Sequence, residues 1–179
     1  MKGIIFTEFL DLVEHKFGLE MVDDMINNSN LESGGIYTAV GTYSFSEMLQ
    51  LLKHLSANTK ISIDDLLLLY GEHFFSKLEE DYASLLAIYS EPIEMLSSIE
   101  SHIHVEVQKI YPEAELPIFD VIEKTEDSLV LIYKSSRAMH HFGLGLMKKT
   151  FEYFNATASI NLEKLNEAGT EVRFVINQN

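Results

Sequence analysis

The chain has 179 residues, 46% of them hydrophobic with only 3 Pro and 9 Gly, which suits one well-packed domain and excludes a disordered protein. Its formal net charge of -15, from 28 acidic and 13 basic residues, argues against a nucleic-acid or anionic-lipid surface, since both need clustered Lys and Arg. With no Cys, disulfides and thiolate ligation are excluded; no run of about 18 apolar residues or signal-peptide pattern is present, so a cytoplasmic location is expected.

From Ile4 to Phe17 apolar residues recur at positions 5, 6, 9, 10, 12, 13 and 17, the spacing of a helix, and Gly18 stops it. A second helix is expected from about Glu20 to Asn27, followed by loop signals at Asn28-Ser29-Asn30 and Ser33-Gly34-Gly35. Ser44-Phe45-Ser46-Glu47 predicts a helix start, with Ser44 as N-cap and Glu47 at the third helical position, continuing through Leu55. Ser62-Ile63-Asp64-Asp65 repeats the signature ahead of an apolar helix from Leu66 to about Leu78. A further helix spans roughly Tyr82 to Tyr89. Pro92 then suits the first turn of a long helix ending near Tyr111, before Pro112.

After Pro117 the period changes. Ile118 to Glu123 and Leu129 to Ser135 read as a hairpin turning through Thr125-Glu126-Asp127-Ser128. Met139 to Phe154 returns to helical spacing, and Ala158 to Leu165 with Glu171 to Ile176 forms a second hairpin. The expected class is α+β: a helical N-terminal lobe, then a lobe with a four-stranded antiparallel sheet and helices.

Tyr133, Ser135 and Arg137 occupy alternate positions at the end of the apolar run Leu129-Val130-Leu131-Ile132. On a continuing strand they share one face, and two hydroxyls with a guanidinium fork match a carboxylate or phosphate. The plainer reading is a polar strand end that faces water. Seven His are present, at 15, 54, 73, 102, 104, 140 and 141, and an isolated helical His is most often a surface or satisfied core residue. His102 and His104 point to nearly opposite sides of one helix, so they do not readily share a metal. Glu100 and Gln108 flank His104 at helical spacing, and periodicity alone does not select it.

Together, the Y-x-S-x-R pattern of Tyr133-Lys134-Ser135-Ser136-Arg137, the helical segment His104 to Ile110, Pro117 between them and the opening Met1-Lys2-Gly3-Ile4-Ile5 resemble the H-NOX family, haem-binding nitric oxide and oxygen sensor domains. The resemblance covers the whole chain. It implies haem b, a ferrous iron protoporphyrin IX, held between a distal helical lobe of about residues 1–60 and a proximal lobe of about 61–179. In the family register His104 is the axial ligand, with His102 in reserve. Tyr133, Ser135 and Arg137 supply donors for the propionates. Ile5, Phe74, Leu78, Phe142 and Leu146 wall the distal side, and Pro117 and Ile5 belong to the contacts that distort the haem.

Oxygen-binding members carry a distal Tyr where this chain has Phe142, which has no donor, while His140 and His141 point elsewhere on that helix. The resemblance therefore implies a sensor that binds nitric oxide and carbon monoxide and excludes oxygen. Signalling would run through release of the iron–His104 bond and lobe movement, to a separately encoded histidine kinase or cyclic-di-GMP enzyme. A monomer with no catalytic activity is expected. A haem enzyme of peroxidase or dioxygenase type is a weaker reading, since the distal set lacks an acid–base pair. A haem-free module that uses Arg137 to hold a carboxylate is the remaining alternative.

Overall fold

In a computed structural model, which describes residues 1–179, the chain forms eight α-helices, one π turn and four strands. It divides into two compact units, Met1–Tyr70 and Gly71–Asn179, and the division falls inside one helix, beyond the boundary expected near residue 60. No helix is long and apolar enough to cross a membrane.

The first unit is built from α1 (Ile4–Phe17), α2 (Leu19–Asn27), α3 (Phe45–Thr59) and the start of α4 (Ile63–Asp81). α1 buries Phe6, Phe9, Leu12 and Val13, the stripe that its helical spacing defines, and Gly18 ends it at φ 87°. The Tyr70 hydroxyl donates to Ile5 O at 2.6 Å, and its ring meets Phe9 edge-on with centroids 5.3 Å apart, which fixes α4 against α1. Ser62 caps α4: its Oγ accepts from Asp65 N at 3.1 Å and donates to the Asp65 carboxylate at 2.6 Å.

The expected reciprocal cap at α3 is only half present. Ser44 Oγ accepts from Ser46 N, but the Glu47 side chain turns inward and is 3% exposed. There its carboxylate accepts from Ser33 Oγ at 2.5 Å and Tyr37 Oη at 2.8 Å, pinning the 28–43 loop to the helix. The Tyr37 ring stacks on Phe6 at 4.4 Å, and burial, with the Glu47 charge adding to it, pushes its hydroxyl pKa well up. A buried carboxylate persists here because two hydroxyls satisfy it.

The second unit carries the sheet, of order β1-β2-β4-β3 and antiparallel throughout: β1 (Ile118–Lys124), β2 (Ser128–Lys134), β3 (Ala158–Lys164) and β4 (Glu171–Gln178). Alternate residues Leu129, Leu131 and Tyr133 of β2 and Val172, Phe174 and Ile176 of β4 face one core with Ile93 and Leu96 of α6 (Pro92–Ser97) and Met147 and Phe151 of α8 (His140–Tyr153). That alternation is the two-residue period of a half-covered sheet. β1 is an edge strand with a bulge between Val121 and Glu123.

Three expectations are corrected. The helix expected over Tyr82–Tyr89 is a single turn, α5 (Ala83–Leu86). The long helix expected from Pro92 to Tyr111 is broken at Ser98, where Ile103 N bonds to Ser98 O and His104 N to Ile99 O, five residues back in each case. This π turn, Ile99–Ile103, leads into α7 (His104–Ile110). β2 stops at Lys134, so Ser135 to Arg137 lie in a turn and not on the strand face.

Replacing Glu47 by Ala leaves two part-buried hydroxyls without their acceptor. Denaturant unfolding should show a loss of about 1–3 kcal/mol, and less for Gln, which keeps an acceptor. An unchanged midpoint would mean that the loop is held by other contacts.

Candidate functional site

His104 opens α7 immediately after the π turn, and its side chain is 15% exposed. Its Nδ1 lies 2.9 Å from Glu100 Oε1, and the same oxygen accepts the Phe119 amide at 3.0 Å. The ring is turned so that the Nδ1 contact, though short, misses linear hydrogen-bond alignment, and Nδ1 is buried with no other partner. At 2.9 Å, a small rotation of the ring completes the bond. Burial lowers the His104 pKa, and the nearby Glu100 opposes that shift only in part. The unfolded chain therefore takes up a proton first as pH falls below the ordinary histidine value, and this group costs stability in acid. At neutral pH the imidazole is uncharged, with Nδ1 directed at a carboxylate and Nε2 the nitrogen suited to a metal.

His102 differs. Its Nδ1 is 2.6 Å from the Tyr89 hydroxyl and its Nε2 is 4.0 Å from Glu106, so its two nitrogens face protein partners.

Tyr133, Ser135 and Arg137 come together through the turn. Ser135 Oγ accepts from Arg137 N at 3.2 Å, and Ala138 follows with φ 50°. The Tyr133 hydroxyl, 2% exposed as a residue, accepts the Met139 amide at 3.0 Å. Burial raises its pKa, against the opposing pull of Ser135, Met139 and Arg137. The Arg137 fork grips Glu115, with Nη1 on the backbone oxygen at 2.7 Å and Nη2 on the carboxylate at 2.5 Å. The clamp thus already holds a carboxylate. Phe119 joins the two halves of the site: its ring lies 6.2 Å from that of His104 and 5.4 Å from that of Tyr133.

An apolar group lies on α4 and α8. The Phe74 and Phe142 rings are 5.5 Å apart. A Cβ on Gly71 would stand 2.1 Å from Phe142 O and 3.1 Å from Gly145 Cα, so the two helices approach this closely only because Gly71 lacks one. Leu146 packs on Phe75, Leu86 and Met95, in a cluster that also takes in Ile103, the neighbour of His104. Leu78, Ile5 and Pro117 are half-buried, Ile5 in the first unit and the others in the second. Pro117 directly precedes β1 and stands two residues before Phe119.

The donor set fits haem. A neutral imidazole with its second nitrogen on a carboxylate suits iron, a guanidinium fork holds carboxylate, and an aromatic pair offers apolar surface. The sequence places Glu100 one helical turn before His104 without singling it out, and no pattern marks Phe119 or Glu115. The helical spacing of Glu100 and His104 was the one available signal.

A family model described as Haem-NO-binding matches residues 2–162. The ferrous, unliganded H-NOX protein from K. algicida is 73% identical, with a TM-score of 0.98 over 100% of this chain and 97% of that one. The H-NOX protein from Shewanella woodyi, in its Fe(II)CO state, is 35% identical, with a TM-score of 0.84 over 100% and 95%. An H-NOX protein from S. oneidensis in the Fe(II)NO state shares the fold at 21% identity, with a TM-score of 0.91 over 100% and 99%. Comparison with curated protein sequences found no match.

Tyr133→Phe removes the acceptor of the buried Met139 amide. Urea unfolding should register a loss of about 1–3 kcal/mol, the cost of an unsatisfied buried donor. Wild-type stability would show that the hydroxyl has no structural share in the turn.

Proposed function

Because the chain belongs to the Haem-NO-binding (H-NOX) family, whose cofactor is ferrous haem, we propose that it is a gas sensor that takes nitric oxide and carbon monoxide and excludes oxygen. Domains of this family are haem gas-binding sensors and are generally non-catalytic. The haem iron supplies the gas-binding chemistry when bound. His104 would hold that iron through Nε2. Tyr133, Ser135 and Arg137 would hold the propionates, with the Arg137 fork taking a propionate as it now takes the Glu115 carboxylate. Phe74, Leu78, Phe142 and Leu146 would line the gas side, and Pro117 would press on the macrocycle.

The observation that carries the choice of gas is the Phe74–Phe142 pair. Bound oxygen needs a hydrogen-bond donor, and neither ring has one; nitric oxide and carbon monoxide need none. Relatives in the Fe(II)NO and Fe(II)CO states support that reading. His104 also supplies the output. Without the iron to hold it, the His104 ring would no longer fix the start of α7, and that helix could move as a two-state element that a docked partner reads. The partner is a histidine kinase or a cyclic-di-GMP enzyme. A net charge of -15 makes nucleic acid an unsuitable one.

His104→Ala should lose haem on purification and regain it when imidazole is supplied; full haem content with an unaltered absorption spectrum removes the ligand assignment.

The reduced protein should change its spectrum with nitric oxide and with carbon monoxide but form no stable complex in air. Phe142→Tyr adds a donor worth about 1.5–3 kcal/mol to a charged acceptor, raising oxygen affinity by roughly ten- to a hundredfold. A stable oxygen complex of the unmodified protein contradicts the exclusion of oxygen.

A further inference from the structure

Glu100 Oε1 meets two donors from different elements, His104 Nδ1 at 2.9 Å and the Phe119 amide at 3.0 Å. We propose that Glu100 is the positioning residue of the haem ligand, orienting the His104 ring and setting its donor strength through Nδ1 while tying that ring to the head of β1. The inference rests on His104 being the axial ligand.

Three features carry it. Glu100 sits inside the π turn, the local departure from α-helix that immediately precedes His104, and such turns concentrate where a side chain must be aimed. Nδ1 of His104 is buried and has no alternative partner, so the carboxylate alone decides which ring nitrogen is left for iron. Phe119 is fixed at the other end of the bridge, with its amide on Glu100 and its ring against those of both His104 and Tyr133. A carboxylate on Nδ1–H makes the imidazole a stronger donor to the metal, where a neutral acceptor does so less. The same bond makes the position of the ligand sensitive to any movement of β1, and the converse.

A merely structural Glu100 would cover the Phe119 amide at the sheet edge and do no more. Glu100→Gln keeps an acceptor for that amide and approximates the shape, so it isolates the effect on His104; Glu100→Ala removes both contacts. In the ferrous haem-loaded protein, resonance Raman should show the iron–histidine stretch moving to lower frequency in the Gln variant and further in the Ala variant. The haem midpoint potential should rise in the same order, because a weaker donor stabilises ferric iron less. Haem loss should quicken by about tenfold or more in the Ala variant, the usual cost of removing an outer partner of a ligating His. Wild-type frequency and potential in both Glu100 variants, at full haem content, overturn the proposal while leaving His104 as ligand. Retention of haem with an unaltered spectrum by His104→Ala instead overturns the reading beneath it.

Discussion

One shared oxygen organises the second unit around its histidine. An edge strand leaves alternate amides unpaired, and β1 presents that of Phe119 toward the π turn, where Glu100 accepts it. The same carboxylate oxygen lies against His104. The ring of Phe119 then reaches the histidine on one side and Tyr133 on the other. A side chain on the sheet edge thus fixes the distance between the imidazole and the Y-x-S-x-R turn, and the buried alternation of β2 and β4 holds that edge in place.

The interruptions of regular structure fall where the site is assembled. The π turn disturbs a helix just before His104, the end of β2 releases Ser135 and Arg137 into a turn, and Gly71 lets α4 and α8 close to backbone contact beside Phe142. The first two cost local regularity and bring together side chains that an unbroken element would keep apart, while Gly71 acts within an unbroken α4.

The Arg137 clamp shows how a strongly acidic chain holds a further anion. Its guanidinium is largely covered, with a side-chain exposure of 16%, while the carboxylate that it grips belongs to Glu115, which is 83% exposed. An exposed partner contributes little net stability, because water solvates it nearly as well when it is released. Glu115 therefore adds little stability through this pair. The overall charge of -15 does not prevent the fork from holding a carboxylate, since the fork acts at contact distance, where screening of remote charges is strong.

The α+β class, the two hairpins and most helix limits were legible in residue order, because these rest on local period and capping: Gly18 ends α1, Ser62 starts α4, and alternation marks β2 and β4. The sequence also carried the Y-x-S-x-R pattern, and the family that follows from it, as a string of letters. Only the tertiary structure decided how those letters meet. Alternation placed Ser135 and Arg137 on a strand face, whereas the strand ends at Lys134 and a turn gathers them, since Ala138 adopts a left-handed conformation that no spacing rule signals. Glu47 matched a cap by position yet is buried on Ser33 and Tyr37. The bond from the Phe119 amide to Glu100 and the close approach of Gly71 to Phe142 were not legible because they join segments distant along the chain, which meet only after it has packed, while the π turn is a local departure that helical spacing does not distinguish from an α-helix.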